Sequence, residues 1–259
     1  MAIKIAIINQ KGGVGKTTTT IELACILKDS GKRVLVIDFD QQSNLTTYCM
    51  TEQEEDKQLS IWNVLHGECA TSDAVIKGAN FDFIKCTSQM SIADREFTSP
   101  DAVYFLSDVL EAVDEDYDYI FIDTNPARNI LLNMAYAASD YALLVTECDA
   151  GSIDGLRMIL KDITELKKSR HSITNIEVLG VVLNKYERTN MHDVSIDKKR
   201  DLLDEFDLID AFIQTVKKTI KFSTCKEFGE PLQRFDYYSD AAMDFRKVVK
   251  LLEQNVKGE

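Results

Sequence analysis

The segment Asn9-Gln10-Lys11-Gly12-Gly13-Val14-Gly15-Lys16-Thr17-Thr18 has the residue types needed to wrap a phosphate chain. Glycines at 12, 13 and 15 let the backbone turn its N–H groups toward one centre, and a helix starting there adds the positive end of its dipole. Lys16 would reach the β- and γ-phosphates, and the Thr17 hydroxyl would take one position around Mg²⁺. A plain glycine-rich turn is the competing reading. The apolar strand before the segment, the helical stretch after it to about Ser30 and Gly-Lys-Thr in phase speak against that reading. The strict pattern GxxxxGK[ST] would place a glycine at 10, where Gln10 stands, and a lysine follows at 11.

Two further segments end in carboxylates. Val36-Ile37-Asp38-Phe39-Asp40-Gln41-Gln42-Ser43-Asn44 spaces two aspartates at i and i+2, which turns both the same way at the C-terminal edge of a sheet. Tyr119-Ile120-Phe121-Ile122-Asp123-Thr124-Asn125-Pro126 is an apolar strand ending in an acid, the arrangement that holds Mg²⁺ directly or through water. The bland alternatives are an acidic surface loop for the first and a helix-capping Asp for the second.

These residues need strands to carry them. Apolar, β-branched runs occur at 3–8, 33–38, 81–85, 119–123, 141–146, 177–183 and about 211–216. Several are apolar at nearly every position, as parallel strands covered on both faces must be. Between them Val103, Leu106, Leu110 and Val113 keep helical spacing, as do Ile153, Leu156, Leu160 and Ile163. The alternation predicts an α/β fold with a doubly wound, mostly parallel β-sheet flanked by helices on both faces. The stretch 49–75 is less regular and is expected to form short surface helices. The three prolines are isolated and no linker divides the sequence, so residues 1–259 read as a single domain.

Composition narrows the function classes. The six cysteines are scattered, with no CxxC or Cys/His cluster, which argues against zinc, an iron–sulfur cluster or a disulfide framework and suits a cytoplasmic protein. No signal-peptide pattern opens the chain, and no apolar run approaches the ~20 residues of a membrane span. The net charge of −13 opposes general attraction to nucleic acid or anionic lipid, so DNA binding would need a local basic patch.

The variant KGGVGKT at 11–17 resembles the deviant Walker A motif of the ParA/MinD family of P-loop ATPases, a SIMIBI-like NTPase class. Supporting stretches are Gly31–Asp38, the Asp123 segment, Gly180-Val181-Val182-Leu183-Asn184-Lys185-Tyr186 and Phe228-Gly229-Glu230-Pro231-Leu232. They fall in the order found in short, Soj-type partition ATPases. The resemblance implies ATP and Mg²⁺ as ligands: Lys11, Gly12, Gly13, Val14, Gly15, Lys16, Thr17 and Thr18 around the nucleotide, and Thr17, Asp38 and Asp123 around the metal. Lys11 would reach across an ATP-dependent homodimer to the partner's phosphates. A second cation there is good electrostatics for phosphoryl transfer, and an ordinary solvated lysine is the alternative. Asp40 would position the attacking water, and Asp38 would support the metal or the switch loop.

The resemblance also marks departures. Gln41 and Asn125 replace family prolines, and Lys217-Lys218-Thr219 stands where PRN often lies near the adenine. Asn184 is the candidate base contact, beside a structural turn reading. Arg188, Lys218 and Lys221, with Lys217 nearby, match positions that bind DNA without sequence preference, beside the reading of a solvated basic cluster. The implied function is partition of a plasmid or chromosome: an ATP dimer on the nucleoid, stimulated to hydrolyse by a ParB-like partner. A MinD-like membrane-cycling or scaffold-positioning ATPase is the rival. It would need an amphipathic C-terminal helix, whereas 245–252 reads as the last packed helix, so no stable membrane association is expected. A metabolic phosphotransferase on the same loop would require a small acceptor.

Overall fold

The computed structural model describes residues 1–50, 59–149, 151–168 and 173–256. Its strands are β1 (Ile3–Ile8), β2 (Val34–Phe39), β3 (Ile76–Lys77), β4 (Asp82–Ile84), β5 (Tyr119–Thr124), β6 (Tyr141–Glu147), β7 (Glu177–Tyr186) and β8 (Phe212–Lys217). They form one sheet in the order β3-β4-β2-β5-β1-β6-β7-β8. Every pairing is parallel except β3 with β4. The two-residue β3 carries too little pattern to be read from sequence. All seven expected strands are present.

The longer helices are α1 (Lys16–Asp29), α2 (Phe105–Glu111), α3 (Ile130–Ala138), α4 (Gly151–Lys168), α5 (Asn190–Glu205), α6 (Lys221–Phe228) and α7 (Asp240–Asn255). Side chains alternate across each strand, so two cores form. Ala6, Ile8, Leu35, Ile37, Ile120 and Ile122 face α2 to α5, while Ile5, Ile7, Val36 and Phe121 face α1 and α7. Gly31, at φ +88°, lies just past the end of α1 in the left-handed region that a side chain disfavours. The apolar face of α7 (Phe245, Val248, Val249, Leu252) is buried in the second core, so it is the fold's last packed helix.

One expectation is corrected. Within 49–75 the helix Ile61–Leu65 is not a surface element: Ile61, Trp62, Val64 and Leu65 are buried, and Trp62 packs against His66 and Phe97. A five-residue helix shows no periodicity to read, and its burial depends on the distant Phe97. Residues 51–58 of that stretch lie outside the described residues.

Candidate nucleotide-binding site

β1 has neighbours on both sides from opposite halves of the sheet, β5 and β6, and the loop leaving it opens into the crevice at the strands' C-terminal ends. Gly13 (φ +77°) and Gly15 (φ +97°) make the loop's turns, and α1 begins at Lys16. The neighbouring strands hold the loop. The Asn9 amide donates to the Val145 carbonyl at 2.5 Å, and its oxygen accepts from the Lys11 N–H at 2.6 Å. Asn184, at the end of β7, donates to the Val14 carbonyl at 3.0 Å, and its oxygen accepts the Lys185 N–H. Lys185 Nζ donates to the Gly13 carbonyl at 2.8 Å and pairs with Glu147 at 2.5 Å. Asn184 is therefore 4% exposed and built into the loop's floor.

The register brings the acids together. Asp38 on β2 pairs directly with Asp123 on β5, and Ile7 on β1 pairs with Asp123 from the other side. The Thr17 hydroxyl donates to Asp123 Oδ2 at 2.7 Å, with the Thr20 hydroxyl 3.4 Å from Oδ1. Asp38 accepts from the Thr46 N–H at 2.8 Å and hydroxyl at 2.6 Å, and from the Asp40 N–H at 3.2 Å. It clamps the 40–46 loop. Asp40 accepts from the Gln42 N–H at 3.0 Å, and Ser43 turns through φ +50°. Asn125, in the second departure from the family, accepts the Ala127 N–H at 3.0 Å while its buried amide nitrogen has no partner among the described residues.

Electrostatics distinguish the two lysines. Lys16 is 7% exposed, and burial lowers its pKa against the opposing pull of Asp123 and Asp40. Lys11 stands at the rim with its side chain 52% exposed, paired with Asp149 and 3.5 Å from Glu147. Burial, with the charge of Asp38, raises Asp123 to about 7 against the Thr17 hydrogen bond and Lys16; burial foremost raises Asp38 to about 6. Two buried carboxylates lacking full compensation, with a threonine hydroxyl aimed at one of them, suit a divalent cation. No all-protein cage of three or more His, Cys, Asp or Glu side chains exists among the described residues. Magnesium in a phosphate site needs none, since waters and phosphate oxygens complete its shell.

A cavity of about 450 Å³ runs from Gly12, Lys16 and Asp40 along α1 to Glu22, Tyr48 and Phe222. Sequence reasoning missed its far end. Glu22 is buried, accepts the N–H groups of Leu232 and Gln233 at 2.6 and 3.0 Å, and is pushed up to about 7 by burial. Its partners lie more than 200 residues away, and an acid within a helix carries no signal of that. Glu147 and Asp149 were equally silent.

Of the basic candidates, the Tyr186–Lys217 pairing of β7 with β8 brings Arg188, Lys217 and Lys218 to one corner, with Lys221 at the start of α6. Lys217 pairs with Asp240 at 2.8 Å, Lys218 with Glu187 at 3.3 Å and Lys221 with Asp236.

A glycine-rich loop between a buried strand and a helix, with an acid-tipped strand beside it, defines a P-loop nucleotide-binding protein. The AAA domain family model matches residues 2–178. The chromosome partitioning protein ParA of Caulobacter vibrioides is 31% identical over 253 residues, 95% of this chain and 92% of that protein. The sporulation initiation inhibitor protein Soj of Bacillus subtilis is 31% identical over 257 residues, 97% and 98% of the two chains. The chain belongs to the ParA/Soj family of P-loop ATPases. Solved structures share its fold: apo McdA from Cyanothece (TM-score 0.86, 24% identity, 97% of this chain and 100% of that one). Cobyrinic acid a,c-diamide synthase from Mycobacterium smegmatis, with bound ADP and magnesium, does too (TM-score 0.79, 23% identity, 100% and 96%).

Proposed function

We propose that this chain is a partition ATPase that cycles between an ATP-bound sandwich dimer on DNA and free monomers, for plasmid or chromosome segregation. The observation that carries the reading is the division of labour between lysines. Lys16 is enclosed beside Asp123, where it would meet its own chain's nucleotide, whereas Lys11 stands exposed at the rim on the half-buried Glu147 and Asp149, free to exchange them for a second copy's phosphates. Full-length similarity to ParA and Soj supports it.

In this reading the loop's N–H groups, Lys16 and Thr18 bind the phosphates. Thr17 and Asp123 would hold Mg²⁺, which would supply positive charge against the phosphates. Asp38 holds the 40–46 loop so that Asp40 can orient water. Lys11 supplies a cation from the partner copy. A ParB-like protein stimulates hydrolysis, which is otherwise slow, and Arg188, Lys217, Lys218 and Lys221 meet DNA phosphates.

DNA binding compared with ADP, ATP and a non-hydrolysable analogue tests the cycle. Binding to unrelated duplexes is expected only with ATP or the analogue, alongside dimerisation in light scattering. A dimer that ignores DNA at low salt would overturn DNA tethering and move the scaffold or membrane reading ahead.

A further inference from the structure

Four cations line the corner where β7, β8 and α6 meet, and three of them are already engaged. Lys217 lies 2.8 Å from Asp240, Lys221 is paired with Asp236, and Lys218 is 3.3 Å from Glu187. Asp244, itself paired with Lys247, also accepts the Lys217 N–H at 3.2 Å, so the corner's cations are largely balanced by carboxylates of this chain. Two of the carboxylates come from one short turn, Asp236-Tyr237-Tyr238-Ser239-Asp240, leading into α7.

That turn is built independently of the lysines it meets. The Asp236 N–H donates to the Leu232 carbonyl at 2.8 Å, and the Ser239 hydroxyl to the Asp236 carbonyl at 2.8 Å. Ser239 caps α7, and the Arg246 guanidinium lies 4.0 Å over the Tyr237 ring. Tyr238, between the two carboxylates, is 83% exposed. The turn thus presents two fixed anions to Lys217 and Lys221.

We propose that the Asp236–Asp240 turn is a built-in anionic competitor for the nucleic-acid surface, so that DNA phosphates must displace Asp236 and Asp240 from Lys221 and Lys217. This rests on the DNA-binding reading above and adds its regulation. Exposed ion pairs are weak and are lost to a denser anion, so the turn acts as a graded brake. A single copy, its lysines paired internally, binds feebly. Two copies side by side present the lysines to one continuous row of phosphates, and counterion release then outweighs the internal pairs.

The test is the double variant Asp236→Asn/Asp240→Asn in the full chain. Asparagine keeps the shape of the turn and suits the first turn of α7, and thermal unfolding checks that it does. Duplex affinity is read by fluorescence anisotropy with the ATP analogue over a series of salt concentrations. A control of equal charge, Asp116→Asn/Glu205→Gln, removes two exposed carboxylates elsewhere. The turn variant is expected to bind about two- to five-fold tighter per carboxylate removed. Its log–log salt dependence should steepen by up to ~0.9 for each lysine released to a phosphate. The control should move much less. Equal gains in both variants would reduce the effect to net charge and overturn the proposal, as would a turn variant with wild-type affinity and slope. If light scattering shows the ATP dimer but neither wild type nor variant binds DNA, the DNA reading itself fails and the competitor falls with it. Binding by the variant where the wild type shows none would be the strongest support.

Discussion

At Lys16 the chain encloses a cation beside Asp123 and Asp40, and only a ligand of high negative charge gives it a full complement. Lys16→Ala should therefore abolish ATP binding in isothermal titration while circular dichroism stays native, because the side chain faces the loop and contributes little to the apolar cores. Asp40→Ala should bind ATP and retain the dimer but lose on the order of 10²-fold in turnover, ~2.7 kcal/mol of barrier. Near-normal phosphate release would move the water-positioning role to another residue. The buried acids also predict a pH dependence. Asp123 and Asp38 sit at about 7 and about 6 in the fold against 3.8 unfolded. Between those values the folded state holds protons that the unfolded chain has released. Their stabilising contribution is therefore complete below the unfolded pKa and lost as pH rises through 6 to 7. Nucleotide-free protein should lose melting temperature from about pH 4 to 7, and Asp123→Asn should flatten that slope. Bound Mg²⁺ supplies the missing charge, so protection by Mg²⁺–ATP should grow over the same interval; constant protection would argue against Asp123 near the metal.

Elements fail for steric reasons that two glycines separate. A Cβ on Gly15 would come within 2.0 Å of the Asn184 amide, and its φ of +97° is hostile to side chains. Gly15→Ala should push Asn184 off the Val14 carbonyl and cost nucleotide affinity more than stability. Gly180, on β7, is the converse. Its Cβ would lie 2.7 Å from the Phe212 ring and carbonyl on β8, an overpacking expected to cost about 1–3 kcal/mol. Gly180→Ala should lower the melting temperature and leave ATP affinity within a few-fold. If titration and melting ranked the two variants the other way, the division between loop and sheet would be wrong.

Over the whole molecule, the proposed cycle requires two copies and works against a charge balance that opposes DNA. Lys11→Ala should still bind ATP as a monomer and yet fail to dimerise or hydrolyse, as seen by light scattering and phosphate release; a normal ATP dimer would leave Lys11 an ordinary surface lysine. Arg188, which has no ion pair among the described residues, is the most available cation of the basic corner. Arg188→Glu should weaken ATP-dependent binding on every duplex alike and lower the salt slope by about one contact, with dimerisation intact. In the proposed cycle the net charge of −13 disfavours DNA binding by a lone monomer, so that nucleotide would act as the switch.

The sequence determined the elements whose causes are local. Continuous apolar runs could only be strands covered on both faces, and glycines in phase with Lys16 and Thr17 could only be useful at the end of one. Loop, acids and helical faces were thus legible from spacing alone. What belongs to the tertiary structure is every relation set by strand order and register. The pairing of β2 with β5 puts Asp38 beside Asp123, and β6 beside β1 brings Glu147 and Asp149 under Lys11. The same holds for Glu22, whose partners Leu232 and Gln233 follow a turn that packs on α1, and for the basic corner, where Asp236 and Asp240 meet lysines 15 and 23 residues away. Such contacts arise from chain segments whose local patterns are silent about one another, because burial of the two cores, and not any nearest-neighbour preference, fixes which ends meet.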